Sequence, residues 1–477
     1  MRERLCYLAL VLVPLIVYSS ALLNEYGTPA DFLHLETPGH ARVVADHAGE
    51  GILNGALLDI SFGMAERVSD LRSVRALGLL LLVFCGLALW QVLERAGWFE
   101  YDAAAVALGV VLLPTAQLAA GWATLWPGVL SALLALAGFA AAESELEQGG
   151  GRRFVAMLGG VLLYLSSAMC YFPGVAMALV PLTALALTRA PRVWPETRKW
   201  FARHAGLLLA GVLAAWLIER AMREGAGLTD GGSLAQRLID LVALALPLAL
   251  APFLGASSLP TRILCTLLGI ATVAGLAFII RRRAATDVRL GQIWRLTLGG
   301  SVLIFAFVIL MTPAWRFSYR SVWPLAGVVL VALLAGLRAL GDRPGGRPLW
   351  QNGAMAGVVA VGAFIAFGQL HKGVVAPFAT EWHGLANAAL RANIAGDTTV
   401  QVLVPPEALK SGAMQNAAFD ARVAGHADAA LRAVAAAVHE RFSAGLPKGV
   451  KLHFETRSAD APPAPGAVVF DLTKAAR

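Results

Sequence analysis

Long apolar runs separated by short polar loops fill the first 370 residues of the chain. A helix needs about 20 apolar residues to cross roughly 30 Å of hydrocarbon. The first run, residues 5–23, could be a signal peptide rather than a transmembrane helix, because Ser19, Ser20 and Ala21 resemble a cleavage site. The pattern predicts an all-α polytopic membrane protein with about eleven transmembrane helices. The runs occupy residues 5–23, 75–93, 103–121, 125–142, 154–170, 174–188, 204–221, 259–280, 296–312, 321–340 and 353–370.

Positive charge in the short loops predicts how these helices are oriented. Lys and Arg are enriched in cytoplasmic loops, and the loops 189–203 and 281–295 each contain five of them. If both loops are cytoplasmic, the run 204–221 leaves the cytoplasm and the run 259–280 returns to it. A further apolar run between them, 236–254, therefore cannot also cross the membrane. It contains Arg237, Asp240 and two prolines, which favours a re-entrant or interfacial helix. We therefore expect a cytoplasmic N-terminus and an outer C-terminal segment. The alternative has twelve spans, with the second basic loop outside.

The pattern changes after residue 370. The stretches “TEWHGLANAALRANI” and “AALRAVAAAVHERF” have helical periodicity, whereas “TTVQVLVPP”, “VKLHFETR” and “AVVFDL” are typical of strands. The sequence thus predicts two domains. Residues 1–370 form a transmembrane domain whose first outer loop, 24–74, is too long for a simple connector. Residues 371–477 form a small α/β domain on the outer, periplasmic side.

Composition supports a membrane protein and gives no indication of a nucleic-acid partner. Hydrophobic residues make up 58% of the chain and charged residues 15%, with a mean hydropathy of +0.66. Soluble domains contain about 25% charged residues. The net charge of +8 comes largely from Arg in short loops between apolar runs, so it reflects membrane topology. The four cysteines all lie in apolar runs, which implies no disulfide framework.

The first outer loop collects carboxylates directly after the first apolar run. Glu25 and Asp31 lie close to the end of that run, and Asp46 and Glu50 follow further along. A carboxylate within hydrogen-bond reach of an acceptor hydroxyl can act as its general base. We take Asp31 and Glu25 as candidate catalytic residues, and Asp46 and Glu50 as candidate substrate-binding residues. The alternative is that they are solvated loop charges.

The same loop contains His34, His40 and His47. Together with a neighbouring Asp they could form a facial ligand set. Their spacings of six and seven residues match no compact metal motif. The sequence therefore indicates no metal and no other cofactor, although it does not exclude a divalent ion.

Two arginines, Arg316 and Arg320, precede a late span with the i, i+4 spacing that places them on one helical face. Tyr319 and several Trp and Phe accompany them in “PAWRFSYRSVWP”. Guanidinium groups match phosphate oxygens, so this motif predicts capture of a lipid phosphate. The alternative is an interfacial aromatic belt with snorkelling arginines. Tyr171, in the turn “CYFPG”, is expected on the same face and is a further candidate.

The arrangement of these motifs resembles the GT-C superfamily of polytopic glycosyltransferases, and within it the bacterial serotype-converting O-antigen glucosyltransferases. One span is followed by a long acidic outer loop that begins “NEYGTPADF”. An amphipathic stretch ending “DLRSVRALGLLL” leads into the second span, and “FSYRSVWPL” precedes a late span. The family often has paired acids in the first loop, whereas Glu25 and Asp31 are six residues apart.

The resemblance implies a fold, a reaction and a place. Such enzymes take a sugar from a polyprenyl-phosphate-sugar donor and pass it to a glycan or lipid acceptor on the outer face of the bacterial inner membrane, usually with inversion. It implies Asp31 as the base, Glu25 as the second choice, and Arg316 and Arg320 on the donor phosphate. The rival functions are a transporter or flippase, another envelope enzyme such as a polymerase or ligase, and an envelope scaffold.

Overall fold

A computed structural model describes most of the chain. The described residues are 2–36, 51–65, 67–144, 151–188, 194–225, 233–250, 288–312, 319–341, 348–395, 399–404, 453–458 and 468–471, with scattered residues between 263 and 281. Helices dominate these ranges, as the apolar runs predict. Three strands complete them near the C-terminus.

The helices follow one another with short breaks. In chain order they are α1 Arg2–Val17, α2 Ser19–Leu23, α3 Pro29–Glu36, α4 Ile52–Gly63, α5 Leu71–Arg95, α6 Glu100–Val111, α7 Pro114–Gly121, α8 Trp126–Ser144, α9 Gly151–Cys170, α10 Phe172–Val175, α11 Leu179–Thr188, α12 Trp194–Gly225, α13 Leu234–Asp240, α14 Leu246–Leu250, α15 Val288–Met311, α16 Trp323–Gly341, α17 Pro348–Leu370 and α18 Ala376–Ala395. Short 3-10 turns lie at Val68–Asp70, Ala123–Leu125, Ala176–Ala178 and Tyr319–Val322, and π-helical turns at Leu241–Ala245 and His371–Val375.

Six segments of the described ranges are long and apolar enough to cross a membrane. A seventh is obtained if α6 and α7, which meet at a bend of 60°, are counted as one broken span. The described helices thus fit a multi-pass membrane protein, but they do not reach the predicted eleven spans. The six segments are Val68–Arg95, Ala123–Glu143, Pro195–Met222, Gly291–Met311, Tyr319–Gly336 and Ala356–Ala388.

Backbone breaks and short apolar segments explain most of the difference in span number. The apolar run 5–23 is divided at Tyr18 into α1 and α2. The run 103–121 is divided before Pro114, because proline lacks the N–H that a helix interior needs and suits a first turn. In the runs 154–170 and 174–188, the apolar helical segments Phe154–Cys170 and Phe172–Leu187 have only 10–17 residues. Most of the run 259–280 lies outside the described residues.

Close glycine contacts join α8, α9 and α12 side by side. A Cβ atom on Gly138 of α8 would lie 3.3 Å from the Gly160 carbonyl of α9. A Cβ atom on Gly211 of α12 would lie 2.6 Å from Tyr164 Cβ and 3.1 Å from the Val161 carbonyl, both on α9. Small residues allow such close backbone approach between membrane helices.

Ser131 near the start of α8 donates to the Ser167 carbonyl near the end of α9, and Glu143 at the end of α8 accepts from Trp200 near the start of α12. The start of α8, the end of α9 and the end of α12 therefore lie at one end of this layer.

The segment predicted as re-entrant, 236–254, is described up to Leu250 as α13, a π-helical turn and α14. It is not among the helices long and apolar enough to span a membrane. Arg237, 8% exposed, attaches it to the end of α15. Its Nη1 donates to the carbonyls of Leu310 and Thr312 over 2.8 and 2.6 Å. A cation therefore satisfies carbonyls that the last turn of α15 leaves without helical partners.

The C-terminal segment begins inside a helix. The predicted boundary at 370/371 coincides with the π-helical turn that joins α17 to α18, so the helix predicted in “TEWHGLANAALRANI” continues the preceding one. Three parallel strands follow in the order β2–β1–β3: β1 Thr399–Val404, β2 His453–Ser458 and β3 Val468–Asp471. They overlap the three stretches predicted as strands, while the rest of the predicted α/β domain lies outside the described residues. The helix predicted at 429–442 lies outside the described residues.

Candidate functional site

Asp31 lies in the first turn of α3 and has no exposed surface. Its Oδ2 accepts the backbone N–H of Thr28 over 2.9 Å, and the Asp31 N–H is 3.3 Å from Thr28 Oγ1. This reciprocal pair is a capping box, in which the residue before the helix and the third residue of the helix satisfy each other's backbone donors. The local sequence Thr-Pro-Ala-Asp therefore fixes the start of α3.

The second oxygen of Asp31 reaches a distant part of the chain. Asp31 Oδ1 accepts the backbone N–H of Thr124 over 3.0 Å. Thr124 lies in the 3-10 turn between α7 and α8. Each Asp31 oxygen thus holds one backbone amide. A carboxylate offers about four lone-pair sites, so both oxygens retain the capacity to accept a further hydrogen bond.

Glu25, the second candidate base, contacts α18. Its Oε1 is 3.3 Å from the indole Nε1 of Trp382. The Trp382 ring also packs against Phe32, with ring centroids 5.8 Å apart. Glu25 is half-buried. The first loop therefore contacts two distant parts of the chain: the 3-10 turn before α8, through Asp31, and α18, through Glu25.

Tyr26, between the two candidate acids, packs against Arg75 of α5. The Arg75 Cζ lies 3.9 Å from the Tyr26 ring centroid, and Arg75 Nη1 donates to the Tyr26 carbonyl over 2.9 Å. The Tyr26 hydroxyl donates to the Gly121 carbonyl over 2.7 Å. Burial raises the pKa of Tyr26 above its ordinary value, which keeps this hydroxyl a donor. We name Tyr26, Asp31, Arg75, Gly121 and Thr124 the Tyr26 cluster.

Sequence reasoning did not single out Arg75 as a site residue. It has no exposed surface although it begins the apolar run 75–93. An ionisable residue inside such a run is by default a functional candidate, and that is the signal that could have identified it.

Arg320 and its aromatic neighbours form a second group. The Arg320 Cζ lies 5.0 Å from the ring centroid of Tyr171, whose hydroxyl is 3.0 Å from Ser321 Oγ. Tyr171 and Tyr319 are 8% and 7% exposed. Tyr171, expected on the same face as the Arg320 motif, is thus in contact with Arg320 and Ser321. The ring face stabilises the guanidinium by a cation–π interaction.

The two groups are attached to the same end of α8. Thr124, which binds Asp31, lies two residues before the helix, and a Cβ atom on Gly128 would lie 3.6 Å from the Tyr171 ring. Four helical residues span about 6 Å along the axis. The first-loop carboxylate and the Arg320 group consequently meet α8 within about one turn of each other.

Other polar contacts fix α4 at this end. Glu219, at the end of α12 and without exposed surface, accepts the Ile52 N–H in the first turn of α4 over 2.6 Å. The Trp126 indole donates to Ser61 of α4 over 3.2 Å. A carboxylate at a helix N-terminus satisfies free N–H groups and the helix dipole. The amphipathic stretch that leads into the second span thus includes the helix α4, Ile52–Gly63, which contacts α8 and α12.

Several predicted site residues lie outside the described part of the chain. These are Arg316, Asp46 and Glu50, together with His40 and His47. His34 is described: it is 6% exposed, and its ring packs 5.1 Å from that of Phe62. No group of three or more His, Cys, Asp or Glu in the described ranges could hold a metal ion.

Comparisons with known proteins add no functional assignment to this geometry. No family model matches the sequence. Neither a curated protein nor a solved structure is significantly similar to it.

Proposed function

We propose that this chain is a membrane glycosyltransferase that moves a sugar from a polyprenyl-phosphate-sugar donor to a glycan or lipid acceptor. One observation carries the proposal: Asp31 and the Arg320 group are attached to the same end of α8. The reaction needs a base for the acceptor hydroxyl and positive charge for the departing phosphate. Both kinds of group are available at this end of the bundle.

Asp31 is our first choice for the base. Two backbone amides fix its carboxylate, and catalysis requires such a fixed orientation. As the acceptor oxygen bonds to the anomeric carbon, Asp31 takes its proton and the carbon–oxygen bond to the phosphate breaks. One displacement of this kind inverts the anomeric configuration. Glu25, hydrogen-bonded to Trp382, is the second choice.

Arg320 binds the donor phosphate in this proposal, the Tyr171 ring orients its guanidinium, and the buried Tyr319 beside it is a further candidate for substrate binding. Arg316 joins it by the i, i+4 spacing of the sequence. Asp46 and Glu50 bind the sugar or the acceptor. We propose no cofactor.

We further propose the topology that such a reaction requires. The chain crosses a bacterial inner membrane eleven times, on the prediction above, with a cytoplasmic N-terminus. The site then faces the periplasm, where the C-terminal strands belong to an α/β domain. The contact between Glu25 and Trp382 of α18, the helix that precedes these strands, supports a place for the domain near the first loop.

Sugar transfer in proteoliposomes tests the proposal directly. Undecaprenyl phosphate linked to glucose, galactose or mannose is supplied with envelope glycan, and the transferred sugar is measured. We expect Asp31→Asn to lower the rate roughly 100-fold or more, which is the range of general-base contributions. Glu25→Gln is compared in parallel.

A matched control uses another carboxylate of the same loop. Asp70 also accepts a backbone N–H, that of Arg67 over 2.9 Å, but it is only half-buried and, unlike Asp31, precedes the second span. Asp70→Asn should therefore transfer sugar at the wild-type rate. Wild-type transfer by both Asp31→Asn and Glu25→Gln would refute the base assignment. No transfer by the wild type from any of the three donors would refute the proposed donor class.

A further inference from the structure

Arg75 is a deeply buried cation whose hydrogen bonds are incomplete. It lies in the second turn of α5 and has no exposed surface. Through Nη1 it donates to the Tyr26 carbonyl. Its Nε and Nη2 have no hydrogen-bond partner within the described ranges.

These N–H groups require an acceptor. A guanidinium has five N–H donors and remains charged in proteins. Leaving such a charge buried without compensation is strongly unfavourable. The Tyr26 carbonyl and ring face compensate part of it. Asp31, the acid of the same cluster, directs its oxygens to the amides of Thr28 and Thr124 instead.

Other unpaired groups lie in the same part of the structure. Thr124 Oγ1 and the indole Nε1 of Trp122 are buried, and neither has a hydrogen-bond partner among the described residues. Both residues follow Gly121, which accepts the Tyr26 hydroxyl. The Tyr26 cluster and the residue that follows Gly121 thus contain several buried donors without partners among the described residues, whereas the Asp31 carboxylate already accepts two backbone amides. A ligand with several anionic oxygens is the complement of this arrangement.

We propose that Arg75 belongs to a phosphate-binding site, and that its ligand is the phosphate of the lipid donor. The inference rests on the proposed function and adds a residue to it. A guanidinium fork matches two phosphate oxygens. Arg75 lies four residues after the start of α5, about 6 Å along the helix axis. This position near the start of the candidate span suits a phosphate group held at a membrane surface.

The site differs from the Arg320 group in what it offers a ligand. Arg320 is half-buried and rests on Tyr171. Arg75 is fully buried and has two nitrogen atoms without partners. A charge-assisted hydrogen bond is stronger where water is excluded. We therefore assign to Arg75 the larger share of the discrimination between a phosphorylated lipid and its alcohol.

Binding measurements on the full-length protein in detergent test this assignment. The probes are undecaprenyl phosphate, undecaprenol, phosphatidylglycerol and inorganic phosphate, and affinity is measured by native mass spectrometry and thermophoresis. We expect the wild type to prefer undecaprenyl phosphate to undecaprenol. Arg75→Gln should reduce that preference roughly 10- to 100-fold, and Arg75→Lys should reduce it less. Arg95→Gln, an exposed charge at the other end of α5, is the matched control and should bind like the wild type.

Each outcome decides a separate part of the proposal. Wild-type preference in Arg75→Gln overturns the phosphate site and leaves the proposed function standing. If Arg75→Gln changes only the affinity for phosphatidylglycerol or for inorganic phosphate, the lipid donor is not the ligand of this site. If Arg75→Gln is not monodisperse, Arg75→Lys and Thr124→Val replace it, and unchanged preference in both overturns the site. A wild type that binds phosphate through Arg75 but transfers no sugar keeps this site and refutes the proposed function.

Discussion

Replacing Asp31 by Asn removes a charge and one of two acceptors while keeping the side-chain shape. Asp31 accepts the N–H groups of Thr28 and Thr124 with different oxygens. An Asn side chain has one oxygen, so its NH₂ group must face one of these N–H donors. A hydrogen bond to a charged group contributes about 1.5–3 kcal/mol, and an unsatisfied buried donor costs about 1–3 kcal/mol. We expect Asp31→Asn to lower the free energy of unfolding by about 2–4 kcal/mol.

Equilibrium unfolding by SDS titration, followed by tryptophan fluorescence, measures this loss. Asp70→Asn is the comparison, because Asp70 also caps a helical turn in the same loop. Asp70 is half-buried, so water can replace the lost bond, and we expect a loss of about 1 kcal/mol or less. If Asp31→Asn is as stable as the wild type, the two amide contacts do not hold the loop and the reasoning is refuted. Transfer rates of the variant are then compared per folded molecule.

Two further predictions concern the bundle itself. Gly211→Ala should lower the free energy of unfolding by about 1–3 kcal/mol, because the added methyl group overpacks against α9. Gly206→Ala on the same helix is the control: a Cβ atom there has nothing within 4 Å, so the free energy of unfolding should stay the same or rise by up to about 1 kcal/mol. Equal effects of the two substitutions in SDS titration would contradict the close contact between α12 and α9. Arg237→Met should lower the free energy of unfolding by about 2–4 kcal/mol, because it removes the donor to the Leu310 and Thr312 carbonyls. Arg237→Lys keeps a donor and should show a smaller loss in the same measurement.

The apolar pattern predicts the helices well because burial in a bilayer requires an internally hydrogen-bonded backbone. It predicts their breaks poorly. Nothing in the hydropathy of 103–121 distinguishes one span from α6 and α7, which meet at 60°, although Pro114 is the local signal for the break. The three strands were predictable from their apolar residues and flanking turn residues.

The candidate acid was predictable, but its partners were not. The loop sequence identifies Asp31 by its position after the first span, and Thr28 by the capping spacing. The bond to Thr124 joins residues 93 positions apart, and no local pattern contains such a contact. The burial of Arg75 could not be predicted from local sequence either, because it depends on how α5, the first loop and the end of α7 pack together.

The separation of Asp31 from Arg75 is significant for the chemistry that the site can perform. A direct ion pair would satisfy both groups and leave neither for a substrate. Backbone amides engage the carboxylate, and the Tyr26 carbonyl and ring engage one side of the guanidinium. Both groups therefore keep capacity for a ligand. The acceptor hydroxyl would use that capacity at Asp31 and the donor phosphate would use it at Arg75, so Asp31→Asn and Arg75→Gln should impair different steps: proton removal in the first and donor binding in the second.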